Sequence, residues 1–302
     1  MEEKSKLLAP GHNACPGCGV PIGINLILSV AGKNTIVCSP TGCLETFTSP
    51  YGGSSWEVPW IHSLFENAPS VASGIKAALE YKGRDDINVI VIGGDGATYD
   101  IGFGSLSGMF EREENILYIC YDNEAYMNTG IQRSSATPFG ATTTTTPAGE
   151  FSFGERFRKK DMVEIARAHN ICYVASATIA FPIDLKNKIK KALALKGAAY
   201  IHLVIPCNLG WGIKPEETVE YSRLLVKTAL LPLVEYENGN LVSVKKLKEI
   251  MPVEKYLKNQ RRFAHLFSEE NKEVIKMIQQ IADENVKKYD LLDTGGKLRE
   301  MI

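Results

Sequence analysis

The feature that most constrains this chain is a repeated alternation between helical apolar periodicity and short, continuous apolar runs. "VPIGINLILSVAG" reads as a helix and "NTIVCSP" as a strand after it. "PSVASGIKAALEYKG" sets Val71, Ile75, Ala78 and Leu79 on one helical face, and "INVIVIGGDG" follows as a run apolar enough to be buried on both sides. A short helix around "GFGSLSGMFER" leads into "NILYICYDN"; later "DMVEIARAHN" precedes "ICYVASA", and "PIDLKNKIKKALALKG" precedes "AYIHLVIPC". A strand buried on both faces needs helices on both, so the pattern predicts an α/β fold with a doubly wound, mainly parallel sheet. In such sheets ligands collect beyond the carboxyl ends of the strands.

Two stretches break the alternation. Residues 39–69 are rich in Gly, Pro, Ser and aromatics, and residues 123–153 carry "MNTGIQRSSATPFGATTTTTPAG". Long irregular loops inside a compact domain usually serve a site or an interface, although a threonine run can equally be plain surface. Beyond Gly212 the alternation stops: "KPEETVEYSRLLVKTAL" reads as helix, "PLVEYENGNLVSV" as a hairpin turning at Asn238-Gly239, and the remainder as charged helix. The expected organisation is an α/β domain over residues 1–212 and a mostly helical extension over 213–302, packed on that domain or on a partner subunit. The charged N-terminus lacks an apolar leader core, nowhere do about 18 apolar residues run together, and a cytoplasmic location is the default. A formal net charge of -1 provides no general field for nucleic acid or an anionic membrane, so neither is an expected partner.

"VIGGDGATYDIG" ends one buried run with Gly94, Asp95 and Gly96, where glycines permit a tight turn and close backbone approach to a diphosphate, and a carboxylate can hold Mg2+. Alone, Gly-Asp-Gly is a weak signal, since many strands finish in such a turn. After Gly96, however, 26 residues containing one helix and one strand lead to Asn123 in "DNEAYMNTG". One β-α-β unit therefore brings Asp95 and Asn123 to neighbouring strand ends, able to share one hard cation.

That spacing is similar to the thiamine diphosphate motif, and "GDGATYDIGFGSL" with "YDNEAYMNTGIQRSSATPFGA" resembles the β subunit of the pyruvate:ferredoxin (2-oxoacid:ferredoxin) oxidoreductase family. The resemblance implies Mg2+ held by Asp95, Asn123 and the Ala125 carbonyl, thiamine diphosphate contacts from Gly94, Gly96, Thr129 and Gly130, and Asn128 as the catalytic residue at the substrate end. Glu66 and Asn67, in "HSLFENA", match a segment that approaches the thiamine; capping the helix that begins near Pro69 is the competing role. Gln132 and Arg133 can meet substrate or a CoA phosphate, or can be solvated loop residues.

Seven cysteines, an odd number, argue against a disulfide framework. Cys15 and Cys18 form a C-x-x-C. A zinc ribbon needs a second close pair, which the sequence lacks; a thioredoxin-like pair should follow a first strand, and none precedes Cys15; an iron-sulfur cluster needs four thiolates, which can come from distant loops. The family resemblance implies the last, with the third ligand 25 residues after the second, at Cys43, and the fourth at Cys207 in "LVIPCNLGWG". Cys38 is the substitute candidate, while Cys120 and Cys172 read as small core hydrophobes. His12 can donate to a cluster sulfur or hold its own loop.

The resemblance further implies thiamine-dependent oxidative decarboxylation of a 2-oxoacid, pyruvate foremost, to acetyl-CoA and CO2, with electrons leaving through one 4Fe-4S cluster to ferredoxin. It implies an α-type subunit supplying the glutamate that activates the cofactor, and a ferredoxin-like subunit or domain. The alternatives are another 2-oxoacid such as oxalate, or a non-redox thiamine diphosphate lyase or transferase, which would leave the cysteines without purpose.

Overall fold

The computed structural model describes residues 6–50 and 52–293. Residues 1–5, Tyr51 and the end of the charged C-terminal stretch, 294–302, lie outside the described residues.

The chain runs α1 (Val20–Ala31), β1 (Thr35–Pro40), α2 (Cys43–Thr48), β2 (Trp60–Ser63), α3 (Ala68–Tyr81), β3 (Asn88–Gly94), α4 (Phe103–Glu111) and β4 (Leu117–Asp122). A two-residue ladder, β5 (Ala148–Gly149) with β6 (Ser152–Phe153), precedes α5 (Met162–Ala168), β7 (Tyr173–Thr178), α6 (Pro182–Ala194) and β8 (Ala199–Val204). Then come α7 (Asn208–Trp211), α8 (Thr218–Lys227), the hairpin β9 (Val234–Glu237) and β10 (Asn240–Val244), α9 (Glu254–Leu257) and α10 (Lys272–Tyr289).

The main sheet has the order β10-β9-β7-β8-β4-β3-β1-β2. The six strands from β7 to β2 are mutually parallel, whereas β9 pairs antiparallel with β7 and with β10. Alternation along β3 shows why both faces must be covered. Val89 and Val91 enter the core under α3, α4 and α5, while Ile90 and Ile92 enter the one under α1 and α6. All four are buried, at roughly 1.5–3 kcal/mol each. The doubly wound, mainly parallel sheet follows from that two-sided burial.

The sequence beyond Gly212 is thin in apolar residues, and the structure shows where they go. β9 and β10 extend the main sheet, and Val253, Tyr256, Phe263, Leu266, Ile275 and Ile278 join the same core as α3, α4 and α5. The hairpin turns at Asn238 (φ 47°) and Gly239 (φ 76°), the left-handed pair that a two-residue turn requires.

Glu164 on α5 fastens this segment. Its carboxylate takes a 2.8 Å ion pair from Lys288 on α10 and accepts from Tyr236 and Tyr289 at 3.1 and 3.2 Å. Burial, the largest single influence, pushes the carboxyl up, but Lys288, Arg167 and Tyr236 together outweigh it and hold it at about 2 instead of 4.5. A depressed acid stabilises the fold fully above its unfolded value and loses that contribution as pH falls through the folded one. Glu164→Gln should therefore lower the urea midpoint at pH 7, and the gap to the unaltered chain should shrink as pH falls from about 4.5 towards 2.

The two irregular stretches differ from expectation. Residues 39–69 contain α2 and the edge strand β2, which pairs with β1 from Val37↔Trp60 to Pro40↔Ser63. In the second stretch the threonine run is pinned rather than free: Thr144 N–H donates to Ile131 O at 3.0 Å, Arg133 N–H to Thr145 Oγ1 at 2.9 Å, and Thr142 N–H to Arg262 O at 2.9 Å. Among the described residues no helix is long and apolar enough to cross a membrane.

Candidate cofactor and cluster sites

β3 and β4 pair in parallel with Gly94 opposite Tyr121, so the loops beginning at Asp95 and Asn123 leave the same end of the sheet side by side. Between them lies a cavity of about 390 Å3, walled by Leu64, Phe65, Ala97, Tyr126 and Met127 and floored by Asp95 and Asn123. Gly94, Gly96, Ala125, Asn128, Thr129 and Glu66 also line it; Gly130 and Asn67 do not. Asn67 holds the N-cap position of α3 without making the capping hydrogen bond, and its Oδ1 is buried with no hydrogen-bond partner.

Local geometry corrects the reason for the glycines. Neither Gly94 nor Gly96 has a positive φ, and β3 runs directly into a wide helical turn, Gly96–Ile101, closed by Gly102 N–H to Ala97 O at 3.0 Å. A side chain at Gly96 would place Cβ 2.4 Å from the Tyr126 ring, and one at Gly93 would place it 2.4 Å from Tyr118 Oη. Close aromatic packing, not turn conformation, demands glycine here. π-type turns of this kind concentrate at functional sites.

The oxygens of the floor converge. The Asn123 side-chain oxygen stands 2.9 Å from the Ala125 carbonyl oxygen and 3.0 Å from Asp95 Oδ1, facing only acceptors. With the amide rotated, its nitrogen donates to both and the three groups close without an ion; with the oxygen on that side, the same three groups offer oxygens to a cation. Asp95 is 2% exposed and its other oxygen accepts from Ser134 Oγ. Burial, with Asp122 next, drives its carboxyl well above the usual range against the pull of Ser134 and Lys159. A cation beside Asp95 would favour its ionised form. Asn123 is fixed from behind, its carbonyl accepting from Trp211 Nε1 at 2.8 Å.

The cysteine loops meet beside the cavity, which Cys43 lines. Cys18 N–H closes a turn on Cys15 O at 3.0 Å, and this loop docks on the segment after β8: Thr218 Oγ1 donates to Gly17 O at 2.7 Å and Asn208 Nδ2 to Pro16 O at 3.2 Å. Gly17, at φ 80°, lies so close to Pro215 that a Cβ would sit 2.5 Å from it. Asn13 N–H donates to Phe47 O at 2.8 Å, joining the same loop to α2, whose first residue is Cys43. Cys207 precedes α7 and its Sγ accepts from Gly210 N–H at 3.4 Å.

The four thiols act on one another electrostatically. Burial raises Cys18 to about 11, with Cys207 and Cys15 adding and the Val20 backbone opposing, and Cys43 to about 12, with Cys207, Cys18 and Cys15 adding and Asn128 opposing. Burial also raises Cys207, against the Gly210 and Leu209 N–H groups and the Arg262 charge. Among the described residues no three His, Cys, Asp or Glu side chains gather at the spacing of a single-ion site. Cys43 and Asn128 both line the cavity, and the Asn128 amide lies against the Cys43 sulfur.

The remaining candidates fall outside these sites. Cys38 and Cys120 are fully buried in the core, and Cys172, one residue before β7, donates to Ala198 O at 3.0 Å. Cys38→Ala should accordingly leave iron content unchanged while costing roughly 1 kcal/mol of stability, read from a urea midpoint. His12 accepts from Ala14 N–H at 3.4 Å and packs on Phe47, a loop-holding role. Arg133 pairs with the buried Glu155 at 2.7 Å, and Gln132 turns back on Thr129. Sequence reasoning missed Phe65, Tyr126, Ser134 and Trp211, whose contacts carry no local signature.

Comparison with known proteins identifies the domain and the family. Residues 40–203 match the thiamine pyrophosphate enzyme, C-terminal TPP binding domain. The chain is 53% identical to pyruvate synthase subunit PorB of Methanosarcina barkeri over 94% of its length and 97% of that protein. It is 45% identical to ketoisovalerate oxidoreductase subunit VorB of Pyrococcus abyssi, covering 86% of each. A solved 2-oxoglutarate:ferredoxin oxidoreductase from Magnetococcus marinus, with 2-oxoglutarate, coenzyme A and succinyl-CoA bound, superposes with a TM-score of 0.58 at 28% identity, covering 72% of this chain and 70% of that one. The chain belongs to the 2-oxoacid:ferredoxin oxidoreductase family, as the β subunit of a multi-subunit enzyme that uses thiamine diphosphate to oxidise a 2-oxoacid.

Proposed function

We propose that this subunit serves the oxidative decarboxylation of pyruvate to acetyl-CoA and CO2, with the electrons leaving through a 4Fe-4S cluster to ferredoxin. One observation carries the reading: Cys43 and Asn128 line the same cavity as Asp95, Asn123 and Ala125, so cluster and cofactor loops share a wall. Thiamine diphosphate, when bound, supplies a nucleophilic carbon that takes up a 2-oxoacid carbonyl and allows CO2 to leave. Asp95, Asn123 and the Ala125 carbonyl hold the Mg2+ that anchors the diphosphate, while Gly94, Gly96 and Thr129 line its path. Asn128 orients the substrate end, and Cys15, Cys18, Cys43 and Cys207 hold the cluster that accepts electrons one at a time. For each pyruvate and coenzyme A consumed, two electrons and one proton are released.

Glu66 and Asp95 are the acidic residues of the cavity, and Asp95 is committed to the cation. The family resemblance assigns the glutamate that activates the aminopyrimidine to an α-type subunit, and the exposed Leu64 at the cavity offers such a subunit an apolar contact. A ferredoxin-like subunit completes the path to ferredoxin. Pyruvate is preferred because the relatives at 50–53% identity are pyruvate synthase subunits, while those named for ketoisovalerate stand at 45%. The test is an anaerobic assay of the complete complex with pyruvate, 2-oxoisovalerate, 2-oxoglutarate and oxalate, following dye reduction with and without coenzyme A. Coenzyme A-dependent reduction greatest with pyruvate is expected; reduction with none of the four would overturn the proposal.

A further inference from the structure

The C-terminal segment sends one charged side chain beneath the cofactor site. Arg262 is 4% exposed and its guanidinium lies 3.8 Å from the centre of the Trp211 ring, a desolvated cation-π contact. Nη2 donates to Tyr256 Oη at 2.8 Å and Nε to Gln260 Oε1 at 2.9 Å. Nη2 also stands 2.8 Å from Glu124 Oε2, an ion pair lying off the line of a hydrogen bond.

Both partners are strategically placed. Glu124 sits between Asn123 and Ala125, whose oxygens face the cation position, and takes the left-handed φ of 72°. A bulky residue adopts that conformation only when its surroundings enforce it. Here Glu124 N–H donates to Asp122 Oδ1 at 2.9 Å, its carbonyl accepts from Thr137 Oγ1 at 2.9 Å, and its carboxylate is held by Lys159 at 3.0 Å and by Arg262. Trp211 ends α7, the helix that Cys207 caps at its N-terminus, and its backbone N–H donates to the Cys207 carbonyl at 2.8 Å. Through Nε1 the same Trp211 grips the Asn123 carbonyl. The Arg262 charge also reaches the Cys207 sulfur.

We propose that Arg262 is a positioning residue that locks the Asn123–Ala125 loop to the Cys207 loop and sets a fixed positive charge beside the cluster. This rests on the cation and cluster assignments proposed above. Arg262 touches neither substrate nor cofactor; it acts through Glu124 and Trp211. It makes the C-terminal segment part of the site's machinery, because a guanidinium is always ionised and its planar fork can stack and pair at once.

The pair Arg262 and Glu124 offers a test with opposite signs. Both Arg262→Met and Glu124→Gln loosen the metal loop, so each should weaken Mg2+-thiamine diphosphate binding to the anaerobically purified complex by about tenfold to a hundredfold, read by titration of intrinsic fluorescence. Their electrostatic effects differ. Losing the buried positive charge should move the midpoint potential of this cluster to more negative values, whereas losing the buried negative charge should move it to more positive ones. An EPR-monitored redox titration reads both, the signal being assigned by its loss in Cys43→Ser. If Arg262→Met does not assemble, Arg262→Lys keeps the charge and should weaken cofactor binding with little change in potential. Unaltered affinity and potential, or potentials shifted in the same direction in both variants, would overturn the inference. A wild-type complex without iron and sulfide would instead sink the cluster assignment, and the inference with it.

Discussion

Asp95→Asn is expected to strip the complex of thiamine diphosphate while leaving the chain folded. The substitution keeps the shape and removes the charge that three converging oxygens need in order to hold a divalent ion. The loss of affinity should exceed the roughly 100-fold typical of a missing outer-shell partner, because the role proposed for Asp95 is that of a direct carboxylate ligand. Folding should not suffer. Burial and Asp122 already disfavour the ionised form of Asp95, so the neutral amide removes a strained group and the cofactor-free chain should be at least as stable as before. The pH dependence has a definite sign. The cation binds the ionised carboxylate, whose pKa is raised in the empty site, so Mg2+ affinity should climb as pH rises through that value and then level off. In Asp95→Asn this slope should vanish. Cofactor retained after gel filtration alongside lost activity would show that Asp95 does not anchor the diphosphate.

Cys43→Ser should have the opposite signature, with cofactor kept and electrons lost. Cys43 opens α2 at the wall between cavity and cysteine loops. Its replacement by a weaker ligand should remove the iron and acid-labile sulfide of one cluster and cut 2-oxoacid-dependent dye reduction by more than the roughly 100-fold of an outer-shell loss. Thiamine diphosphate binding should persist, since the Asp95 floor is untouched. Cys15→Ser, Cys18→Ser and Cys207→Ser should behave alike, and Cys38→Ala should not. Full cluster content in Cys43→Ser, or its loss in Cys38→Ala, would transfer the ligand role.

The adjacency of Asp95 and Asn123 is legible because β3 and β4 are buried on both faces, and such runs, joined by one helix, have few places to go but next to each other. The hairpin at Asn238-Gly239 is legible for the local reason that both residues tolerate positive φ. β2 is not. "WIHS" lies on the sheet edge with its middle residues exposed, so no apolar period marks it. α2, six residues long, is too short to show one. The supports of the site are less legible still. Ser134 meets Asp95 across 39 positions, and Arg262 reaches Glu124 from a segment with no sequence feature of its own beyond charge and aromatics. Periodicity reports burial within one element; it carries no information about which loop closes over which strand end.

The central claim is that electrons released at the thiamine site enter the cluster held by Cys15, Cys18, Cys43 and Cys207. The direct measurement is to mix the anaerobic complex with pyruvate, without an external acceptor, and to follow CO2 release and the EPR signal of the reduced cluster together. The account predicts that the signal assigned by its absence in Cys43→Ser appears with CO2 release in the wild type, and that neither occurs in Asp95→Asn. Release of CO2 while that cluster stays oxidised would contradict it and make the subunit part of a non-redox lyase.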